Sequence, residues 1–186
     1  MARSYVSTVI YRDPGQKYIW PAHQLNFWNV TMLVGAATIL GIFAQFIDIQ
    51  QTLGLPIPWL FPYGVSVGAL AVFFILYEIW LSLNHRLVPG VMLIASFVFV
   101  VLWITGIIGT AIQLFGPQGN VSANCQTYVN ARKAGGVSLN TLAWLQQRSI
   151  CSSWYATFAF WLIGTIWWVW MMVMAAQVSK DIYTTD

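Results

Sequence analysis

Charge is scarce in this sequence. Acidic and basic residues together make up 7% of its 186 residues, against 59% hydrophobic ones, too few to clothe a soluble globule of that size. The eight Lys and Arg behind the net charge of +3 are scattered and form no basic face, so nucleic acid is not an expected partner. Cysteine is sparser still: Cys125 and Cys151 are the only two. A quinone-coupled thiol oxidase needs a second, membrane-proximal pair to pass electrons on, so that chemistry is excluded. Proline is missing from the interior of every long apolar run; all seven prolines lie in tails, loops or first turns. Transporters with broken helices interrupt their spans with Gly or Pro, and four continuous rods are expected instead. No grouping of residues forms a catalytic constellation. No catalytic, cofactor-binding or metal-ligating residue is therefore assigned, and the chain is read as non-enzymatic.

What is present is apolar length. Four runs, about 25–47, 62–83, 89–115 and 154–178, are each long enough to cross a hydrocarbon core as a helix, which closes its own backbone hydrogen bonds. The fold class follows: an all-α membrane protein, a four-transmembrane-helix bundle with one larger disulfide-bearing extracellular loop. Residues 1–24 form a cytoplasmic tail, 25–178 the membrane domain with its outer loop at 116–153, and 179–186 a second cytoplasmic tail. The N-terminal tail lacks the short apolar core of a secretory signal, so the first span is expected to target the chain. Ala2 in place of Gly excludes N-myristoylation, and Tyr183-Thr184-Thr185-Asp186 carries no prenylation box. The third span, at about 27 residues or ~40 Å, exceeds a core of ~30 Å and favours a thick bilayer such as a plasma membrane.

Topology follows from charge. With both termini in the cytoplasm, Arg3, Arg12, Lys17, Arg86 and Lys180 share that side, while Arg132, Lys133 and Arg148 lie outside, a positive-inside bias. The outer loop then holds Cys125 and Cys151, which an oxidising compartment would close as a disulfide worth roughly 3 to 4 kcal/mol on the chain-entropy account. The sequon Asn120-Val121-Ser122 makes Asn120 a candidate glycosylation site, whereas Asn29-Val30-Thr31 lies inside span one. Within the loop, 138–149 is expected to form a short helix capped by Ser138, resting on the outer surface or folded over the bundle.

Small residues mark packing faces: Ala37, Gly41 and Ala44 on span one, and the GxxxG of Gly64 and Gly68 on span two. Glu78 is the only acid well inside a span. It is a candidate proton relay or cation ligand, or else a structural charge near the cytoplasmic interface that pairs with Arg86. Trp161, Trp167 and Trp170 are expected near one side of span four, with Trp168 off it. They are candidate contacts for a sterol or phospholipid, or for a partner helix, beside the commoner reading as interhelical packing.

Four spans, cytoplasmic termini, a short first outer loop, a longer Cys-bearing second one, and the passage from Ile150-Cys151-Ser152-Ser153-Trp154 to Phe160 entering the last span resemble a MARVEL-type four-span protein, fungal plasma-membrane members above all. Tetraspanins carry a Cys-Cys-Gly motif, and Gln126 follows Cys125 here; claudin-like proteins put paired cysteines in the first outer loop, which has none. The MARVEL resemblance implies a non-enzymatic organiser of membrane microdomains or traffic. Its partners would be membrane lipids, further copies of the chain or a larger membrane protein. An accessory subunit of a larger transporter or synthase, and a small channel or transporter built on Glu78, are the alternatives.

Overall fold

The computed structural model describes residues 20, 22–84, 87–117, 120–130 and 139–184. Among them helix is the only regular structure: α1 (Ala22–Thr52), α2 (Leu60–Leu83), α3 (Pro89–Phe115), α4 (Val121–Asn124), a π-helical segment (Cys125–Asn130) and α5 (Leu139–Thr184). Four of these, α1, α2, α3 and α5, are long and apolar enough to cross a membrane.

The ends of the helices have local causes. Gly54 closes α1: at φ 64° it takes the left-handed conformation that a Cβ disfavours, and the Leu55 amide reaches back to the Gln50 carbonyl at 3.0 Å, the Schellman closure. Pro89 opens α3, where its missing N–H costs nothing.

Span four departs from expectation. The helix expected at 138–149 is no separate element: α5 runs unbroken for 46 residues, about 69 Å at ~1.5 Å per residue. Its first turns continue the helix of the span and do not form a segment of their own. No Gly or Pro falls between Gly136 and Gly164, so nothing breaks the helix where the polarity changes. Ser138, the expected cap, lies outside the described residues.

The helices pack as two antiparallel pairs, α1 with α2 and α3 with α5, joined mainly through α1 and α5. Buried positions alternate at intervals of three and four: Phe61, Gly64, Gly68, Ala71, Ile75 and Glu78 on α2; Met92, Ser96, Phe99, Trp103, Gly106 and Thr110 on α3; Trp154, Thr157, Trp161, Gly164, Trp168, Met171 and Ala175 on α5. That spacing is the seam of coiled-coil packing, in which side chains of one helix seat between those of its neighbour.

Candidate functional site

Aromatic rings fill the seam from Trp154 to Trp168. At the end nearest the disulfide Trp154 stacks on Phe46 at 5.2 Å and meets Phe61 at 5.9 Å. In mid-bundle Trp161 meets Trp103 edge-on at 5.0 Å and Phe43 at 6.3 Å. Towards the end that holds the termini, Trp168 stacks flat on Phe99 at 4.4 Å and touches Trp28 at 5.0 Å and Phe74 at 6.0 Å. Every span contributes to this last cluster.

The rings need holes, and glycines supply them. A Cβ on Gly106 would sit 2.7 Å from the Trp161 ring, and one on Gly164 would run into the Trp103 ring. Trp103-Ile104-Thr105-Gly106 on α3 and Trp161-Leu162-Ile163-Gly164 on α5 therefore interlock reciprocally, each helix placing its indole over the other's glycine. Close-packed interiors forfeit dispersion energy wherever such fit is lost. The same device recurs where Gly64 receives Phe43 and Gly109 receives Leu60.

This arrangement corrects the expectation for the tryptophans. Trp161 and Trp168 are both fully buried at 0% exposure, Trp167 is half-buried, and Trp170 is 51% exposed. Trp161 thus contacts neither surrounding lipid nor an external helix. Six residues advance a helix by about 600°, well round from the start, whereas seven return within ~20° of it; the shared face is Trp161 with Trp168. Trp170 does face outward, as expected of a lipid or partner contact.

Among the small residues, Gly64 and Gly68 are buried, and a Cβ on Gly68 would lie 3.2 Å from the Leu40 backbone, so this GxxxG does bring two helices close. Ala37 and Gly41 are exposed, and nothing lies within 4 Å of a Cβ built on Gly41. The face they form with Ala44 is left exposed by the described residues.

Polar groups are confined to a few places. Glu78 is 0% exposed, and neither carboxylate oxygen has a hydrogen-bond partner among the described residues. Arg86, its expected partner, lies outside them. The side-chain oxygens of Asn29, Ser96 and Thr110 and the indole nitrogens of Trp103, Trp161 and Trp168 are likewise buried and unpartnered among the described residues. Trp28 by contrast donates to the Trp167 carbonyl at 2.7 Å, and the Tyr63 hydroxyl to the Leu102 carbonyl at 2.8 Å. A cavity of about 30 Å³ lies between α1 and α5 over Trp103, large enough to hold a water molecule.

Outside the spans, Cys125 and Cys151 are disulfide-bonded with Cα atoms 6.0 Å apart, as expected. The bond ties the π-helical segment to α5, helped by a 2.8 Å hydrogen bond between the hydroxyls of Ser122 and Tyr155 and by Trp144 donating to the Val129 carbonyl at 2.8 Å. Arg148 lies over the Trp144 ring at 5.3 Å. Beside the disulfide is an open groove of about 340 Å³ lined by Val121, Tyr128, Val129 and Ile150. Asn120 is exposed and caps α4, its Oδ1 accepting from the Ala123 amide at 2.8 Å. Nδ2, the atom a glycan would occupy, is not the capping atom.

The WxxG pair and the polar layer of Asn29 and Ser96 were not singled out from sequence, although the repeated Trp-x-x-Gly was there to be seen. Comparison of the chain with protein-family models, curated proteins and solved structures finds no match. The MARVEL resemblance accordingly rests on span count, loop pattern and the passage into α5.

Proposed function

We propose that the chain is a non-enzymatic integral membrane scaffold that organises plasma-membrane microdomains or membrane traffic through lipid and helix contacts, in the manner of MARVEL-type proteins. The observation that carries this reading is the contrast between a filled inside and an open outside. The seam is occupied by interlocking rings from all four spans. Outward, the bundle presents large apolar side chains such as Phe73, Ile94 and Ile166, and the one small-residue face of α1 is left uncovered. Surfaces of that kind suit acyl chains, a sterol or phospholipid, and neighbouring helices. The Cys125–Cys151 bond supports an outer, oxidising location for the segment between α3 and α5, and hence cytoplasmic termini.

The uncovered face of Ala37, Gly41 and Ala44 also suits a second copy or a larger membrane protein that holds this chain as an accessory subunit. Mild-detergent extraction with crosslinking and native mass measurement separates the cases. Self-association or lipid-rich particles support the scaffold, whereas one large partner at fixed stoichiometry makes the chain a subunit. Ion or solute flux in reconstituted vesicles that is lost in Glu78→Gln would replace both readings with a channel or transporter.

A further inference from the structure

Glu78 stands at a seam position of α2, where its neighbours in the pattern are Ile75 and Ala71 and where an apolar residue would complete the packing. Burying a carboxylate costs far more than the bundle gains from it unless its charge is cancelled, and no described residue cancels that of Glu78. The register of the pairs shows what else stands at that depth. Gly64 meets Phe43 and Gly68 meets Leu40; stepping on from Gly64 to Glu78, and back from Phe43 by as many residues, reaches Asn29. Phe74 and Phe99 touch at 5.3 Å, and both touch Trp168. One turn on from Phe74 is Glu78, and one turn back from Phe99 is Ser96.

Three helices thus bring four oxygens to one layer: both of Glu78, Oδ1 of Asn29 and Oγ of Ser96. All are buried and none has a hydrogen-bond partner among the described residues. On α5 the same layer is apolar, with Met171 and Ala175 buried. Tyr77, beside Glu78 on α2, is exposed, and on the other elements packed around this layer the titratable groups described nearest to it are His23 on α1 and Lys180 on α5, both exposed near helix ends. Oxygens around a single negative charge form the ligand set of a cation, and neutrality inside lipid makes that cation monovalent. From the geometry we infer that Asn29, Glu78 and Ser96 form an intramembrane binding site for a monovalent cation, either a proton or an alkali ion. Glu78 is five residues from the end of α2 at Leu83, about 7.5 Å, so exchange takes place with water on the side of the termini. The site stands independently of the scaffold reading, since a scaffold that loads a cation at its inner end remains a scaffold.

The test uses the full chain in phosphatidylcholine liposomes and dicyclohexylcarbodiimide, an apolar reagent that partitions into lipid and adds to a carboxyl group carrying its proton. The adduct is located by peptide mass spectrometry. Labelling of Glu78 that declines as the buffer is made alkaline, with no response to sodium, identifies the bound cation as a proton. Labelling that also declines when sodium replaces choline at constant pH and ionic strength identifies it as an alkali ion. In either case Asn29→Ala moves the half-point by about tenfold in cation concentration, the effect of removing one polar ligand from a charged group. Glu78→Gln keeps the side-chain shape and takes up no label. An adduct that persists in Glu78→Gln, a half-point unmoved by Asn29→Ala, or wild-type labelling that is absent or indifferent to both pH and sodium overturns the site.

Discussion

The α3–α5 pair and the α1–α2 pair are both antiparallel, and both set glycine against something large, but they do so with different symmetry. Between α3 and α5 the exchange is mutual, with Trp103 over Gly164 and Trp161 over Gly106. Between α1 and α2 it runs one way: α2 supplies Gly64 and Gly68, and α1 supplies the Phe43 ring and the Leu40 backbone. A mutual interlock fixes rotation and register of both helices at once. A one-way approach fixes distance, and towards the end that holds the termini it carries the oxygens of Asn29 and Glu78 instead of a ring. The first pair is held in one register by two rings, and the second supplies Asn29 and Glu78 to the layer that Ser96 of α3 completes.

The contrast breaks most visibly at the interlock. Trp161→Ala removes a fully buried ring that touches both Trp103 and Phe43. It should destabilise the bundle by about 3–5 kcal/mol, the range for large aromatics in close-packed cores, read as the shift in denaturing-detergent midpoint. Cys151→Ser comes next. The bond closes a separation of 26 residues, and its loss should cost roughly 3 to 4 kcal/mol. It acts on the segment between α3 and α5, so the same measurement made under reducing conditions should lower wild type to the level of the variant. A smaller effect is expected for Tyr155→Phe, which deletes the 2.8 Å hydrogen bond to Ser122 and should cost about 1 kcal/mol, with the disulfide still formed on non-reducing peptide mapping.

The fold was legible in the sequence because hydrocarbon-length runs have one structural solution, and α3 begins and ends where Pro89 and Phe115 predict. The inside of the bundle was not. In a soluble helix, polarity separates the buried stripe from the exposed one; in lipid both sides are apolar, and Trp161 and Trp170 look alike although one is buried and the other half exposed. The surviving signal is size. Glycine three residues after tryptophan, on two helices, marks where rings are to be received. The unbroken course of α5 is also legible, from the lack of any Gly or Pro between Gly136 and Gly164, because a change from polar to apolar residues does not by itself end a helix. Glu78 was found by charge alone; Asn29 and Ser96 are uncharged and emerge only when register brings them to its depth.

The finest distinction lies between two glycines of the same pair. Gly68→Ala places a Cβ against the Leu40 backbone at 3.2 Å, and backbone cannot swing aside as a side chain can. The helices must part slightly, and a loss of about 1–2 kcal/mol is expected. Gly41→Ala places its Cβ in open space on a helix that gains from exchanging Gly for Ala, so stability should be unchanged or rise by up to about 1 kcal/mol. Opposite signs for one substitution in one helix pair would separate a face used inside the bundle from one kept for an outside helix. Gly41→Leu then completes the argument. The monomer should tolerate it to within about 0.5 kcal/mol, while any crosslinked second copy or larger partner seated on Ala37, Gly41 and Ala44 should be lost. If association survives Gly41→Leu unchanged, that face is packed only against lipid, and partners must be sought on the outward surface carrying Trp170.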